Sequence, residues 1–549
     1  MVLEYKFDYL SNNNTLIKFL EAIVNKENLP FKIFKERDII YLYIEAQEEE
    51  LLEVSDKLAK QLPMSIFLKN YSIEVVLQMP KTEFTYIKDD FNLPYCSKCI
   101  ATIDNKESVD YYNPFYNCDI CNANNEDQIL SFFENGLIKE FANNKELFEF
   151  LALKLFEEKR VKIKTKAGSF VFYKTTKLKS KNEKLICTNI ESLSNLTVSS
   201  KSKAVALLSI EKPSIDFNLN AAYKIANNLD FETINLRYAY DLILYLLSLE
   251  LQYLNIDFLT YEKSDDFDYE LDYENIETLN TPYIKIIDGE TLLLTNKNYD
   301  KKLDEIYNKF DDKSKSQFMV LLEENNLYEK SILNIFTSSL YDDNICLYSK
   351  KIDGVIDILN YNVPTSFETI FTKISQELSG EKLLKNYKEK FPENFEAAIN
   401  YQNNDKRDSI YTLWNMLAIV LGFDRKKEDK NIVLENAQNA VLQKGPRVDY
   451  ILKKSDKIFN KEFDISKLIK SGISFKLAGI DDKTLCFGYV ESYAYFLANI
   501  VDEVNSEFSL DGISLCGDLI GNELFYKLVN KAITSNFDLY YNKDFPIQL

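Results

Sequence analysis

Histidine is absent from all 549 residues. That removes the side chain that most often moves protons near neutral pH and most often binds metal. Ser-His-Asp triads, Cys-His pairs and His-ligated metals are excluded with it. Long apolar runs are missing as well. No stretch reaches about 18 uninterrupted apolar residues, so no membrane-spanning helix is expected. Residues 1–10 show no basic segment followed by an apolar stretch and a small-residue cleavage site, so no secretory signal is expected. There is no short repeat and no low-complexity tract. Basic residues are in deficit: 66 Lys and Arg stand against 86 Asp and Glu, a formal charge of −20. A chain that acidic is repelled by phosphate backbones, which argues against nucleic acid as a partner.

What is present is enough to fold. Hydrophobic residues make up 46% of the chain, which can bury real cores. The length predicts about three or four domains. Of eight cysteines, four form the pattern C-x2-C-x18-C-x2-C: Cys96, Cys99, Cys118 and Cys121. Each C-x2-C pair makes a tight knuckle with both sulfurs on one side, and the loop brings the second pair round. Four thiolates so placed can close a tetrahedral Zn²⁺ site. The alternative is two disulfides or idle thiols. A closed four-thiolate set has no position left for water, so such a site is structural rather than catalytic. The spacing does not separate zinc from iron. Cys187, Cys346, Cys486 and Cys516 are scattered singly in apolar settings and read as reduced core residues. Together these features predict a cytoplasmic protein, where thiols bind metal rather than pair.

Periodicity divides the chain further. Strand-like alternation over 3–9, helical spacing over 15–24, a hairpin over 31–44, an amphipathic helix over 48–62 and a strand over 65–76 give β-α-β-β-α-β, the pattern of a ferredoxin-like fold. Residues 92–125 hold the four cysteines, with a break at Pro114 and aromatics that can cover a metal. A helix is expected over 145–158, strands over 161–166 and 169–173, a buried strand over 204–210 and an apolar helix over 236–254. The acidic stretch 262–277 reads as a solvated loop, with partner docking as its alternative. Residues 298–340 read as a mostly helical linker. Strands at 344–348 and 354–359, a helix over 409–421 with the only tryptophan, Trp414, a long helix over 487–508, a strand at 512–516 and a helix over 522–533 complete the chain.

Two further sites are candidates. The strand-glycine-helix turn with Gly517, Gly521 and Asn522 could offer backbone N–H groups to a nucleotide phosphate. Asp518 opposes that reading, and the plain alternative makes Asn522 a helix N-cap. Lys164 and Lys166 beside Gly168 could hold an anion, or be solvated edge lysines. No catalytic residue can be named.

The cysteine segment reads Pro94-Tyr95-Cys96-Ser97-Lys98-Cys99, then Tyr112-Asn113-Pro114-Phe115-Tyr116-Asn117-Cys118-Asp119-Ile120-Cys121. It closely resembles the zinc-finger region of the HypF family, the carbamoyltransferases of nickel–iron hydrogenase maturation. Weaker similarities follow in order: residues 161–164 with Ala167-Gly168, Ser209 with Lys212-Pro213, Leu236-Arg237-Tyr238, and residues 515–522. The resemblance implies a multidomain α+β and α/β chain: an acylphosphatase-like ferredoxin fold over 1–90, a four-cysteine zinc finger or ribbon over 91–128, a YrdC-like domain over 129–300, and an actin-type ATPase (ASKHA) domain with a helical linker over 301–549. It also implies zinc, ATP with Mg²⁺, and partners among hydrogenase maturation proteins or a hydrogenase subunit.

The departures are informative. Residues 10–15 (Leu10-Ser11-Asn12-Asn13-Asn14-Thr15) lack the arginine and glycines of an acylphosphatase loop. The second four-cysteine module and the metal-binding histidines have no counterpart. Thr260-Tyr261-Glu262-Lys263 stands where the family has its T-S-G-N nucleotide motif, and Gly517-Asp518 replaces a glycine pair. Three expectations follow. The chain is a HypF-like maturation accessory that has lost catalysis and acts as a scaffold; or it is an active ATP-dependent carbamoyltransferase; or it senses nucleotide through its C-terminal domain.

Overall fold

The computed structural model describes residues 1–81, 93–121, 128–274, 279–352, 354–423, 432–453, 459–533 and 537–547. They belong to two compact units, Met1–Asp300 and Lys301–Leu549. The two ends expected for the cysteine segment, 92 and 122–125, and the end of the acidic stretch, 275–277, lie outside the described residues.

In the first unit the opening alternation builds β1 (Val2–Tyr9), α1 (Thr15–Val24), β2 (Phe31–Glu36), β3 (Ile39–Glu45), α2 (Glu48–Gln61) and β4 (Leu68–Val76). The sheet order is β2-β3-β1-β4, antiparallel throughout, which is the ferredoxin-like arrangement expected from the pattern. Tyr5, Phe7 and Tyr9 of β1 face Leu16 and Leu20 of α1 and Leu51 and Val54 of α2 in one core. Glu50 and Gln47 close a capping box at the start of α2, where glutamates also suit the helix dipole.

After α3 (Ser97–Ile103) the chain forms β5 (Ser131–Glu134), β6 (Leu137–Ile138), α4 (Asn144–Phe156), β7 (Val161–Thr165), β8 (Gly168–Lys174), β9 (Lys184–Cys187), β10 (Thr197–Val198), β11 (Ser214–Leu219), β12 (Thr233–Tyr238), α5 (Leu242–Tyr253), β13 (Phe258–Glu262), β14 (Tyr269–Asp272), β15 (Tyr283–Ile287) and β16 (Glu290–Thr295). Twelve strands make one mixed sheet, in the order β16-β15-β11-β12-β9-β13-β8-β7-β14-β5-β6 with β10 beside β11.

Three expectations are corrected in this unit. Residues 204–210 are not a strand: a helix runs over Lys201–Leu208, started by the Ser200 hydroxyl, which accepts from Lys203 N at 3.3 Å. A short apolar run is ambiguous between the two states, and the cap decides it. The stretch 236–254 is not one helix. β12 takes its first residues, and Asp241 caps α5 by accepting from Leu244 N at 2.9 Å. The acidic stretch is a solvated loop only in part: 263–268 is a largely exposed connection, but β14 lies inside the sheet between β7 and β5. Tyr269, Leu271 and Tyr273 alternate with Glu270 and Asp272, and Leu271 is fully buried. The acids pair across the parallel neighbour β7: Lys162 to Glu270 at 2.9 Å and Lys164 to Asp272 at 3.0 Å.

In the second unit, α6 (Lys313–Glu324) leads into β17 (Ser331–Phe336), β18 (Asn344–Ser349) and β19 (Gly354–Asn360). Then come α7 (Ile410–Leu421), β20 (Lys461–Glu462), α8 (Asp482–Phe508), β21 (Gly512–Cys516), α9 (Glu523–Ile533) and β22 (Leu539–Tyr540). The sheet order is β20-β19-β18-β17-β21-β22. The helical linker expected over 298–340 is corrected here. β17 is a central strand with every residue buried, and α6 supplies Phe318, Leu321 and Leu322 to the core. A strand buried on both faces shows no alternation, so its period is silent. Trp414 of α7 donates from Nε1 to Tyr450 Oη at 2.9 Å. No helix among the described residues is long and apolar enough to cross a membrane.

Candidate metal centre and candidate anion sites

Cys96 is the N-cap of α3 and Cys99 lies in its first turn, while Cys118 and Cys121 sit in the turns after Pro114. All four are buried and none forms a disulfide. Their sulfurs are 3.8 Å apart for Cys96–Cys99, 3.7 Å for Cys96–Cys118 and 3.4 Å for Cys99–Cys121, and all four lie within 4.8 Å of one another. A bonded pair would stand at about 2.05 Å. A tetrahedron with zinc–sulfur bonds of about 2.3 Å has edges of about 3.8 Å. The donor set therefore fits a metal ion that takes four thiolates and leaves no open position.

The four thiols share protons with one another, so none titrates independently. Thiols this close release all their protons only to a cation.

The segment is fastened from outside the quartet. Lys98 pairs with Asp119 across the two knuckles. Tyr95 Oη donates to the Ala239 carbonyl at 2.7 Å, and Tyr245 Oη of α5 donates to Asp104 at 2.8 Å. Tyr112 Oη donates to Glu250 of α5, and Phe115 meets Tyr273 edge-on at 5.2 Å. The loop aromatics, expected as a metal cover, thus tie the segment to the twelve-stranded domain.

The candidate anion sites are arranged differently. Lys164 belongs to the first unit, where its ammonium meets Asp272 and the Tyr273 carbonyl and lies 5.2 Å over the Tyr273 ring. Lys166 gives its backbone N–H to Asp241 at 3.0 Å, and Gly168 supplies the hairpin turn with φ +119°. Lys212 is buried with its ammonium on the Leu208 carbonyl at 2.8 Å and 4.9 Å over the Tyr95 ring; burial pulls it down to about 8. In the loop after β1, Asn13 Oδ1 accepts from Tyr9 Oη at 2.7 Å and Thr15 N at 3.1 Å, and Lys35 donates to the Ser11 carbonyl. That loop binds itself.

Gly517, Gly521 and Asn522 belong to the second unit. Asn522 caps α9, its Oδ1 accepting from Phe525 N at 3.1 Å. Gly517 has φ +88°, and a Cβ there would stand 2.1 Å from the Thr337 carbonyl oxygen, so glycine is required by close approach. The Leu519 N–H donates to that same carbonyl at 3.3 Å.

Three buried carboxyl groups escaped the sequence reading. Asp241 joins the β7–β8 hairpin to α5, and burial pushes it up. Asp343 accepts from Ser338 N and Ile410 N, each at 2.7 Å, and burial raises it well above the carboxylate range. Glu324 accepts from Asp544 N at 2.8 Å and Phe545 N at 2.7 Å; burial, helped by Asp544, raises it to about 7. Asp241 alone shows as an acid within an otherwise apolar stretch; Glu324 and Asp343 each follow another acid in a polar stretch.

No protein-family model matches the chain. It is 25% identical to Protein HydE of Wolinella succinogenes over 569 aligned positions, covering 98% of each chain. Among solved structures it is similar to full-length HypF in the phosphate- and nucleotide-bound form, with TM-score 0.61 and 12% identity over 100% of this chain and 96% of that one. It is likewise similar to T. kodakarensis HypF, with TM-score 0.62 and 13% identity at the same coverage. Across both units, the chain is HypF-like in fold.

Proposed function

We propose that this protein is a zinc-holding accessory of nickel–iron hydrogenase maturation in the cytoplasm, acting as a partner-binding scaffold in place of a carbamoyltransferase. The observation that carries this reading is the combination of a full-length HypF fold with candidate anion loops that bind themselves. Similarity to HydE over 98% of both chains supports the pathway. The absence of histidine and of an arginine in the Leu10-Ser11-Asn12-Asn13-Asn14-Thr15 loop supports the loss of chemistry.

In this reading the chain has four parts: 1–90, 91–128, 129–300 and 301–549. The thiolates of Cys96, Cys99, Cys118 and Cys121 hold one zinc, which supplies folding energy to a segment too short to build its own core. Tyr95, Tyr112 and Phe115 then keep that knot on the neighbouring domain. The partners are other maturation proteins or a hydrogenase subunit.

Gene deletion in the host, followed by a hydrogenase assay, tests the pathway: activity is lost and returns with the wild-type gene. Unchanged activity would remove the maturation reading. Calorimetry with carbamoyl phosphate and ATP–Mg²⁺ tests the scaffold reading, which expects no heat and no phosphate release. Phosphate release would establish the active transferase instead, with transfer of a carbamoyl group to a partner cysteine.

A further inference from the structure

In the turn after β21, three donors converge on a side chain of the unit's own. Asp518 Oδ1 accepts from Ser338 Oγ at 2.7 Å and Ser339 N at 2.8 Å, and Oδ2 accepts from Ser339 Oγ. Two hydroxyls and one backbone N–H from consecutive residues close on one carboxylate. The same set of donors grips one face of a tetrahedral oxyanion, because each points at negative charge and none needs to be ionised.

The surroundings hold this arrangement in place. Asp343 fixes the serine loop from behind by accepting from Ser338 N. Arg407 donates to the Ser339 carbonyl, while its Nε meets Asp405 Oδ1 at 2.6 Å and its charge also acts on Asp518. Gly517 brings the turn hard against Thr337, the residue before the serines. Beside them the Thr337 hydroxyl, on a residue 1% exposed, has no hydrogen-bond partner among the described residues. The turn therefore has a polar lining matched to an anion, and a resident carboxylate that repels any second one.

We propose that Asp518 is a built-in anion: it fills an oxyanion cradle made by Ser338 and Ser339 and so keeps phosphate groups, those of a nucleotide included, out of the second unit. This rests on the scaffold reading and gives it a cause in that unit. The nucleotide implied by the fold does not fit this turn while the carboxylate is in place.

The test uses the full-length, zinc-loaded chain with inorganic phosphate and ATP–Mg²⁺ as probes, read by calorimetry. Wild type gives no binding heat with either at millimolar concentration. Asp518→Gly, which removes the carboxylate and restores space, binds phosphate about tenfold or more tightly than the wild-type limit, and adding Ser339→Ala removes the gain. Asp518→Ala also empties the cradle, without adding glycine's backbone freedom, and decides the matter if the glycine variant melts early. Equal phosphate affinity in wild type and Asp518→Gly overturns the proposal. So do folded glycine and alanine variants that bind neither probe, since the donors are then only a structural knot. Carbamoyl-phosphate turnover by wild type would overturn the scaffold reading alone, so the two failures are distinguishable.

Discussion

The thiol quartet around Cys118 and the glycine turn around Asp518 are both places where polar groups converge, with opposite outcomes. At the quartet four sulfurs lie within 4.8 Å of one another, three of the pairs at 3.4–3.8 Å, a spacing that suits a metal ion. At the turn the chain itself supplies the partners: Ser338 and Ser339 meet Asp518, and Leu519 N meets the Thr337 carbonyl. In the proposed reading, a ligand that supplies folding energy is kept while a ligand that serves chemistry is replaced by an internal group. The comparison teaches that a fold can be retained end to end while its sites are kept one by one.

The comparison breaks first at the quartet. Cys118→Ser removes one of the four thiolates, and the account predicts loss of the metal with about 4 kcal/mol or more of stability. Thermal melting with a metal assay reads this, and a variant that melts like wild type would mean the quartet is idle. Next is Gly517→Ala, where a Cβ 2.1 Å from the Thr337 oxygen meets a left-handed backbone, at an expected cost of about 3 kcal/mol. The drop should be confined to the second unit, as hydrogen exchange can show.

Glu324 sharpens the contrast through pH. Its carboxyl is raised from 4.5 to about 7 by burial, so the native state favours the protonated form. The stability it adds is full below about 4.5 and is lost as pH rises through about 7, by at most about 3 kcal/mol. Melting of wild type should decline across that window more steeply than Glu324→Gln, and parallel curves would contradict it. The smallest effect is expected at Lys164→Met, which breaks the pair with Asp272 and should cost about 0.5 kcal/mol. A loss of nucleotide affinity there would mean that Lys164 serves a ligand and not the sheet.

Much of this was legible in the sequence, for local reasons. The Tyr5, Phe7, Tyr9 alternation fixed β1, and the cysteine spacing gave the quartet, because both signals lie within a few residues of themselves. Charge was legible but its meaning was not: Glu270 and Asp272 stand out, yet only the sheet shows that Lys162 and Lys164 answer them. β17 hid because a fully buried strand has no alternation. Asp518 was recognised as hostile to phosphate, but the serines it satisfies lie 180 and 179 residues away. The acceptor role of Glu324 reaches 220 and 221 residues along the chain, beyond any pattern in one sequence.

The most direct test is the metal content of the purified full-length chain, measured by plasma mass spectrometry alongside thiol titration. The account predicts one zinc per chain, with Cys96, Cys99, Cys118 and Cys121 unreactive until a chelator removes it. Protein that folds without stoichiometric metal, or that holds those sulfurs as disulfides, would contradict it.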